Sequence, residues 1–372
     1  MTEDERIMGG LLADTVAVEL PPASVPVASS RTGAAPPARL PRVRADALCG
    51  PNLDALERRA NGSEKPIPLG LPELAKLLGG GLWPGCHVLT GAPGSGKSQL
   101  ALQLALEAAR SGVPVRYVAL ELDELGLLTR TLYLTDALDA RRMKGGKPLP
   151  GWWSEAYTGQ ASPATVAALR SRVAPMLAGV PLYLDAAKGS GWPYTEIGPA
   201  LAELRAAEPV AGAAGNPAFL IVDFLQLVGS PNPAKSEELR ERIGGAAYQA
   251  REATRKDPGA TVLLISSAAR GAYERLVKEH GDVDPASLLD TGKESGEIEY
   301  AADTVLALGR DKGGTPWIAV AKQRTGATGC IPLRVEGGTF GEAAAPQVPK
   351  VVPQRASPQT TKGGGDDGNE YF

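Results

Sequence analysis

One octapeptide limits what this chain can fold into more than any other feature: Gly91-Ala92-Pro93-Gly94-Ser95-Gly96-Lys97-Ser98. It fits G-x-x-x-x-G-K-[ST] in full, and it lies between an apolar run, Cys86 to Leu89, and an Ala- and Leu-rich run, Lys97 to Arg110. That context is a strand, a tight loop and a helix. Glycines let the loop turn sharply enough to aim successive N–H groups at anionic oxygens, and the helix adds the positive end of its dipole. Lys97 is placed to meet the β- and γ-phosphates of a nucleotide, Ser98 to ligate magnesium, and Gln99 to close the cradle from the first helical turn.

The rest of the chain supplies the sheet on which such a loop stands. Short apolar runs, Cys86 to Leu89, Val115 to Leu120, Leu182 to Asp185, Phe219 to Asp223 and Val262 to Ser266, read as buried strands. Helical patterns follow most of them, which predicts an α/β fold with a mostly parallel central sheet. The helix Lys97 to Arg110 puts Leu100 and Leu104 on one face and stops at Gly112. After Ala301 the strand runs Thr304 to Leu308, Trp317 to Lys322 and Cys330 to Val335 are closely spaced between Gly-rich turns, which predicts antiparallel hairpins completing the sheet. A chain of 372 residues with 43% hydrophobic and 22% charged residues can bury a sizeable core. Residues 1–50 and 343–372 read as low-complexity tails, 51–65 as a linker carrying a short helix (Asn52 to Ala60), and 66–342 as the folded domain.

Composition narrows the chemistry. Cys49, Cys86 and Cys330 form no CxxC pair, which excludes a thiolate zinc cluster and fits a reducing, cytoplasmic setting. With only His87 and His280, histidine-based metal sites and nucleophile triads have little to draw on, and His87 reads as a packed strand residue. No apolar run approaches the ~20 residues of a membrane span. A net charge of −3 argues against a polycation that coats nucleic acid; any such contact must be local.

A phosphate loop of this kind needs a second acid near the metal. Asp223 closes FLIVD, at the strand edge where doubly wound sheets bind ligands; the plainer alternative is an Asp that caps a turn. Hydrolysis also needs a group that orients water. Glu121 ends the run Val115 to Leu120 and faces the same edge, whereas Asp123 and Glu124 read as first-turn residues of the next helix. Lys322 and Arg324, two apart on a predicted strand, point to one face, as suits a triphosphate or, more plainly, a basic edge strand that discourages aggregation.

Taken in order, these blocks resemble the RecA-like motor domain of the DnaB-type replicative helicases, over roughly Pro66 to Glu342. PIPLGLPELAKLLGGGLWPGCHVLTGAPGSGKSQLALQLA is similar to the family's entry segment and Walker A, VRYVALELDELGLLTR to the strand ending in its catalytic glutamate, and LIVDFLQLV to its Walker B and following glutamine. GKESGEIEYAADTVLAL and AVAKQRTGATG are similar to its late block and finger hairpin. The resemblance implies a RecA-like P-loop fold, ATP and Mg2+ as ligands, and a homo-oligomeric, hexameric ring on single-stranded DNA. It makes Glu121 the water-activating carboxylate, Asp223 the magnesium-shell acid and Gln226 the nucleotide sensor. Lys322 and Arg324 become fingers that reach the neighbouring subunit's γ-phosphate. About sixty residues of mostly low-complexity chain stand where the family carries a large N-terminal helical domain, so the resemblance does not extend to contact with primase. Ser266-Ser267-Ala268-Ala269-Arg270 keeps only part of the family's polar pair and basic residue.

Channel-facing loops would supply the DNA contacts: Lys235, Arg240 and Arg242 in one, Arg270, Arg275 and Lys278 in another. A few cations per subunit, repeated around a ring, neutralise several phosphates without a basic net charge. The second loop also holds Glu274, Glu279, Asp282 and Asp284, so a solvated loop is an equal reading. Three functions follow: a ring translocase of replicative type, a RecA- or RadA-like ATPase of recombination or repair, and a non-motor regulator that switches with nucleotide state.

Overall fold

The computed structural model describes residues 45–143, 145–186, 191–207, 217–232, 237–267, 295–311 and 313–343. Residues 1–44 and 344–372 of the two tails, and Lys235, Arg270, Arg275 and Lys278, lie outside the described residues, while residues 45–50 of the expected first tail are helical. Nine strands among the described residues form one sheet in the order β3-β2-β4-β5-β1-β6-β7-β8-β9. Strands β1 (Gly85–Gly91), β2 (Val115–Ala119), β3 (Leu182–Ala186), β4 (Ala218–Asp223) and β5 (Ala260–Ser267) pair in parallel. Their near-continuous apolar runs are what a sheet covered on both faces requires. Thr304 to Leu308 departs from the hairpin expectation on one side: β6 (Thr304–Arg310) pairs in parallel with β1 and only then turns antiparallel to β7 (Pro316–Gln323). Strands β8 (Gly329–Glu336) and β9 (Thr339–Glu342) continue the antiparallel half.

Helix α1 (Ala45–Ala60) takes in the expected Asn52 to Ala60, and α2 (Pro72–Leu77) precedes β1. Helix α3 (Lys97–Arg110) has the expected bounds and is followed by Gly112 at φ 87°. Its Leu100 and Leu104 are fully buried in a core shared with Val115, Tyr117 and Ala119 of β2 and Phe219 and Ile221 of β4. Helix α4 (Glu124–Arg142) joins that face. The short α5 (Trp153–Tyr157) and α6 (Pro163–Ala168) follow it. Helices α7 (Ile197–Ala207), α8 (Leu239–Lys256) and α9 (Ser295–Ala301) cover the other face, where Val118, Leu220, Val222 and Leu264 pack with Ile197, Ile243 and Ile298. One sheet with two helical layers leaves its carboxyl edge open, and the ends of β1, β2 and β4 meet there. Among the described residues no helix is long and apolar enough to cross a membrane.

Candidate functional site

The loop from Gly91 to Gly96 joins β1 to α3 at that carboxyl edge. Gly96 has φ 100°, and a Cβ there would stand 2.8 Å from Phe340 Cζ of β9, so any side chain meets both backbone strain and an aromatic ring. Gly96→Ala is expected to cost about 1–2 kcal/mol of stability from the left-handed backbone alone. Because Phe340 must then retreat from the cradle, nucleotide binding should fall as well. Thermal unfolding and a nucleotide titration measure the two losses separately.

Lys97 lies buried against the loop, with Nζ donating to the carbonyls of Gly91 (2.8 Å) and Ala92 (3.0 Å). Two of its three donors are thus taken within the loop, and one remains for a further acceptor. Burial pushes the Lys97 ammonium below its ordinary value, and the charges of Asp223 and Glu121 oppose that. Asp223, at the end of β4, is 4% exposed and accepts two hydroxyl hydrogen bonds: from Ser98 on Oδ1 (3.1 Å) and from Tyr117 on Oδ2 (2.6 Å). Burial pushes its carboxyl up, while both hydroxyls and the Arg130 charge pull it back. The Tyr117 hydroxyl is held well above its ordinary value by burial and by Asp223, so it is a donor.

Glu121 lies two residues past the end of β2, exposed on the wall of the cavity that contains Lys97, Ser98 and Asp223. Asp123 is the N-cap of α4, accepting from Gly126 N at 2.8 Å, and Glu124 begins that helix, as the sequence implied for both. Gln226, in the single 3-10 turn Leu225–Leu227 after β4, spans to the end of β5. Its Nε2 donates to Ser266 Oγ (3.1 Å) and to the Ser267 carbonyl (3.3 Å), and its Oε1 accepts from Ser267 N (3.3 Å). The Ser266-Ser267 pair therefore receives the glutamine even though the segment keeps only part of the family pattern.

The cavity encloses about 570 Å³, within the range of small-molecule sites. Trp152, Val335, Gly338 and Phe340 form its outer wall. Gln99 is tied to that wall by a 2.8 Å bond from Nε2 to the Gly338 carbonyl. Ser98 and Asp223 offer adjacent oxygen donors of the kind Mg2+ takes, and no cluster of three His, Cys, Asp or Glu exists among the described residues. That donor set suits a cation that keeps most of its coordination for water and phosphate, and it suits no zinc site.

Arg130 escaped the sequence reading. Its guanidinium stacks on the Trp153 ring at 4.2 Å, its Nε is buried without a hydrogen-bond partner, and it lines the cavity within reach of the charges of Asp223 and Glu121. A signal existed. Leu127, Leu134 and Leu138 form the buried stripe of α4, and Arg130 stands in that stripe.

Lys322 and Arg324 do not join this site within one chain. Lys322 pairs with Val305 near the start of β6, level with Val88 midway along β1 and two strands away from it. The seven residues of β1 separate the two edges of the sheet by roughly 20 Å. Arg324 follows the end of β7 and is clamped there: Nε to Asp303 Oδ1 (3.0 Å) and Nη2 to the Tyr300 carbonyl (3.0 Å). Asp303 in turn exchanges hydrogen bonds with Cys86 at the start of β1, accepting from Cys86 N on Oδ2 (2.9 Å) and donating its own N–H to Cys86 O (2.7 Å). Of the expected DNA-contact residues, Arg240 is exposed in the first turn of α8, 3.6 Å from Glu297. Arg242 is turned inward, with Nη1 on the Val228 carbonyl at 3.0 Å. His87 packs in β1 with Nε2 on the Trp83 carbonyl, and burial raises the Cys86 thiol to about 12, so neither is poised for chemistry.

Known proteins agree with this architecture. The chain is 27% identical over 297 residues to the replicative DNA helicase DnaB of Leifsonia xyli, covering 77% of this chain and 58% of that protein. It therefore spans little more than half the length of that curated relative. A segment of 56 residues is 47% identical to the DNA repair protein RadA of Mycobacterium tuberculosis, 15% of this chain and 12% of that one. Among solved structures, an isolated ATPase domain superposes with a TM-score of 0.61 at 19% identity, over 80% of this chain and 99% of that one. A DnaB-like replicative helicase, solved with its interactions with primase, superposes at 0.60 and 21%, over 80% of this chain and 68% of that one. At those identities the superpositions speak for the fold. The model of the DnaB-like helicase C terminal domain matches residues 66–340, most of the chain, and the protein belongs to that family.

Proposed function

We propose that the protein is an ATP-hydrolysing motor of the DnaB type, working as a homo-oligomeric, hexameric ring on single-stranded DNA during replication, in the cytoplasm. The observation that carries the proposal is the convergence of Lys97, Ser98, Asp223 and Glu121 on one cavity at the carboxyl edge of the sheet. Residues 66–342 are the motor, 51–65 a linker, and 1–50 and 343–372 tails.

In this reading the loop amides of Gly94, Ser95 and Gly96 hold the phosphates, with Ala92 and Pro93 shaping the turn from Gly91 and Gln99 bracing its far side. The spare Lys97 donor meets the terminal phosphates. Ser98 and Asp223 would hold Mg2+, which when bound would offset phosphate charge. Glu121, exposed at the cavity mouth, orients the attacking water and accepts its proton, work that suits a carboxylate left accessible to solvent. Gln226 reports the state of the site to the end of β5 through Ser266 and Ser267. Lys322 and Arg324, neither of which lines its own cavity, act on the neighbour's nucleotide, so the catalytic unit is an interface.

Arg240 remains a candidate for contact with DNA phosphates, together with Lys235, Arg270, Arg275 and Lys278, and with Arg242, whose Nη1 meets the Val228 carbonyl. ATP hydrolysis is expected to rise with single-stranded DNA, and fork unwinding to require hydrolysis. DNA-insensitive hydrolysis by a monomer would overturn the motor reading and favour a regulator. The RadA-like segment supports a second reading, a recombination or repair ATPase, which predicts DNA-stimulated hydrolysis without processive unwinding.

A further inference from the structure

The hydroxyl of Tyr117 has no packing role to explain it. Tyr117 is 1% exposed on β2, and its ring belongs to a core otherwise made of Leu, Ala, Val, Ile and Phe side chains beneath α3. A phenylalanine ring would fill the same space, and a buried phenol oxygen is costly unless it finds a partner. Its partner is a specific atom of the candidate cation site: Tyr117 Oη donates to Asp223 Oδ2 at 2.6 Å and lies 3.3 Å from the Ser98 carbonyl. Having one proton to give, the hydroxyl gives it to the closer, charged acceptor.

Asp223 has two oxygens, and the fold treats them differently. Pairing of Ala119 with Asp223 brings β2 alongside the end of β4, and alternation along β2 puts Tyr117 on the same face of the sheet as Ala119, under the first turn of α3. From there Tyr117 reaches Oδ2, while Ser98, in that first turn, reaches Oδ1. We propose that Tyr117 is a positioning residue of the cation site: its hydroxyl fixes Oδ2 of Asp223, so that Oδ1 is the oxygen presented to Ser98 and to a divalent cation. The inference rests on the reading of Asp223 as the magnesium-shell acid. It adds a second bond that stops the carboxylate rotating, supplied by the strand that leads to Glu121.

Tyr117→Phe in the full chain tests it, with binding of a fluorescent ATP analogue followed as Mg2+ is titrated. The Mg2+ concentration for half-maximal binding should rise about tenfold, as for outer-shell partners of metal ligands. Binding in EDTA and the unfolding midpoint of the nucleotide-free protein should change little. An unchanged Mg2+ requirement in a folded Tyr117→Phe protein overturns the proposal. The double variant Tyr117→Phe, Asp223→Ala removes both halves of the bond and serves where the single variant is too unstable to titrate. Its Mg2+ dependence should equal that of Asp223→Ala alone, and any further loss overturns the proposal equally. If Asp223→Ala by itself leaves the Mg2+ requirement unchanged, the reading of Asp223 fails and takes the proposal with it, a result distinct from failure of Tyr117 alone.

Discussion

Arg324→Ala is expected to lower ATP turnover by about 10³-fold, the lower bound for a trans-acting arginine, and activity should return when the variant is co-assembled with Glu121→Gln subunits. The geometry behind this is the separation of the two edges of the sheet. Arg324 sits beside Asp303 at the start of β1, and Lys97 lies beyond the other end of that strand, so one chain cannot bring them together. In a mixed ring, a site is complete where an Arg324→Ala subunit, which keeps Glu121, faces a Glu121→Gln subunit, which keeps Arg324. Random equal mixing makes about one site in four complete in a closed ring. Recovery to about that fraction of wild-type turnover supports the trans contact. No recovery, with rings confirmed by particle images, removes it.

Glu121→Gln is expected to lower turnover by about 10²- to 10⁴-fold, the usual share of a general base, while leaving ATP affinity nearly intact. Glu121 is exposed on the cavity wall, whereas the groups placed to hold the phosphates are the loop amides and Lys97. Gln keeps the size and removes only the proton acceptor, so the protein should retain ATP without consuming it. Lys97→Ala should fail differently. It strips the buried cation from the loop, leaves the Gly91 and Ala92 carbonyls without their donor, and should cost binding as well as turnover. Filter retention of labelled ATP against product release separates the two variants. Equal loss of binding in both would mean that Glu121 holds the nucleotide and does not act on water.

Residues 91–98 were legible because the motif fixes backbone conformation and chemistry together, and Asp223 followed because a buried strand ending in an acid has few other uses beside such a loop. Central strands were equally plain: burial on both faces turns them into uninterrupted apolar runs, as in Phe219 to Val222. The parallel side of β6 was not legible, because pairing direction depends on which neighbour a strand meets. Arg130 and Tyr117 were missed for a related reason. Each lies within an apolar stripe, where a single polar residue reads as an exception until its partner is known. For Tyr117 that partner is 106 residues away in the chain. Gln226 was identified from the resemblance, and its attachment to Ser266 and Ser267 required the fold. For Arg242 too the partner needed the fold: Nη1 meets the Val228 carbonyl, fourteen residues back in the chain.

Strand β1 has a consequence for how a ring of these subunits would keep time. Its last residue opens the phosphate loop, and its second residue, Cys86, is bonded twice to Asp303, which holds Arg324, the residue proposed to act on the next subunit. Between these ends run parallel ladders to β5 and β6, so the strand has little freedom to bend or slide by itself. A displacement imposed at the cradle would be passed along the strand towards the arginine. In a ring closed through such contacts each subunit would be a lever with one arm in its own site and the other in its neighbour's, and the sites would fire as a linked succession instead of independent clocks.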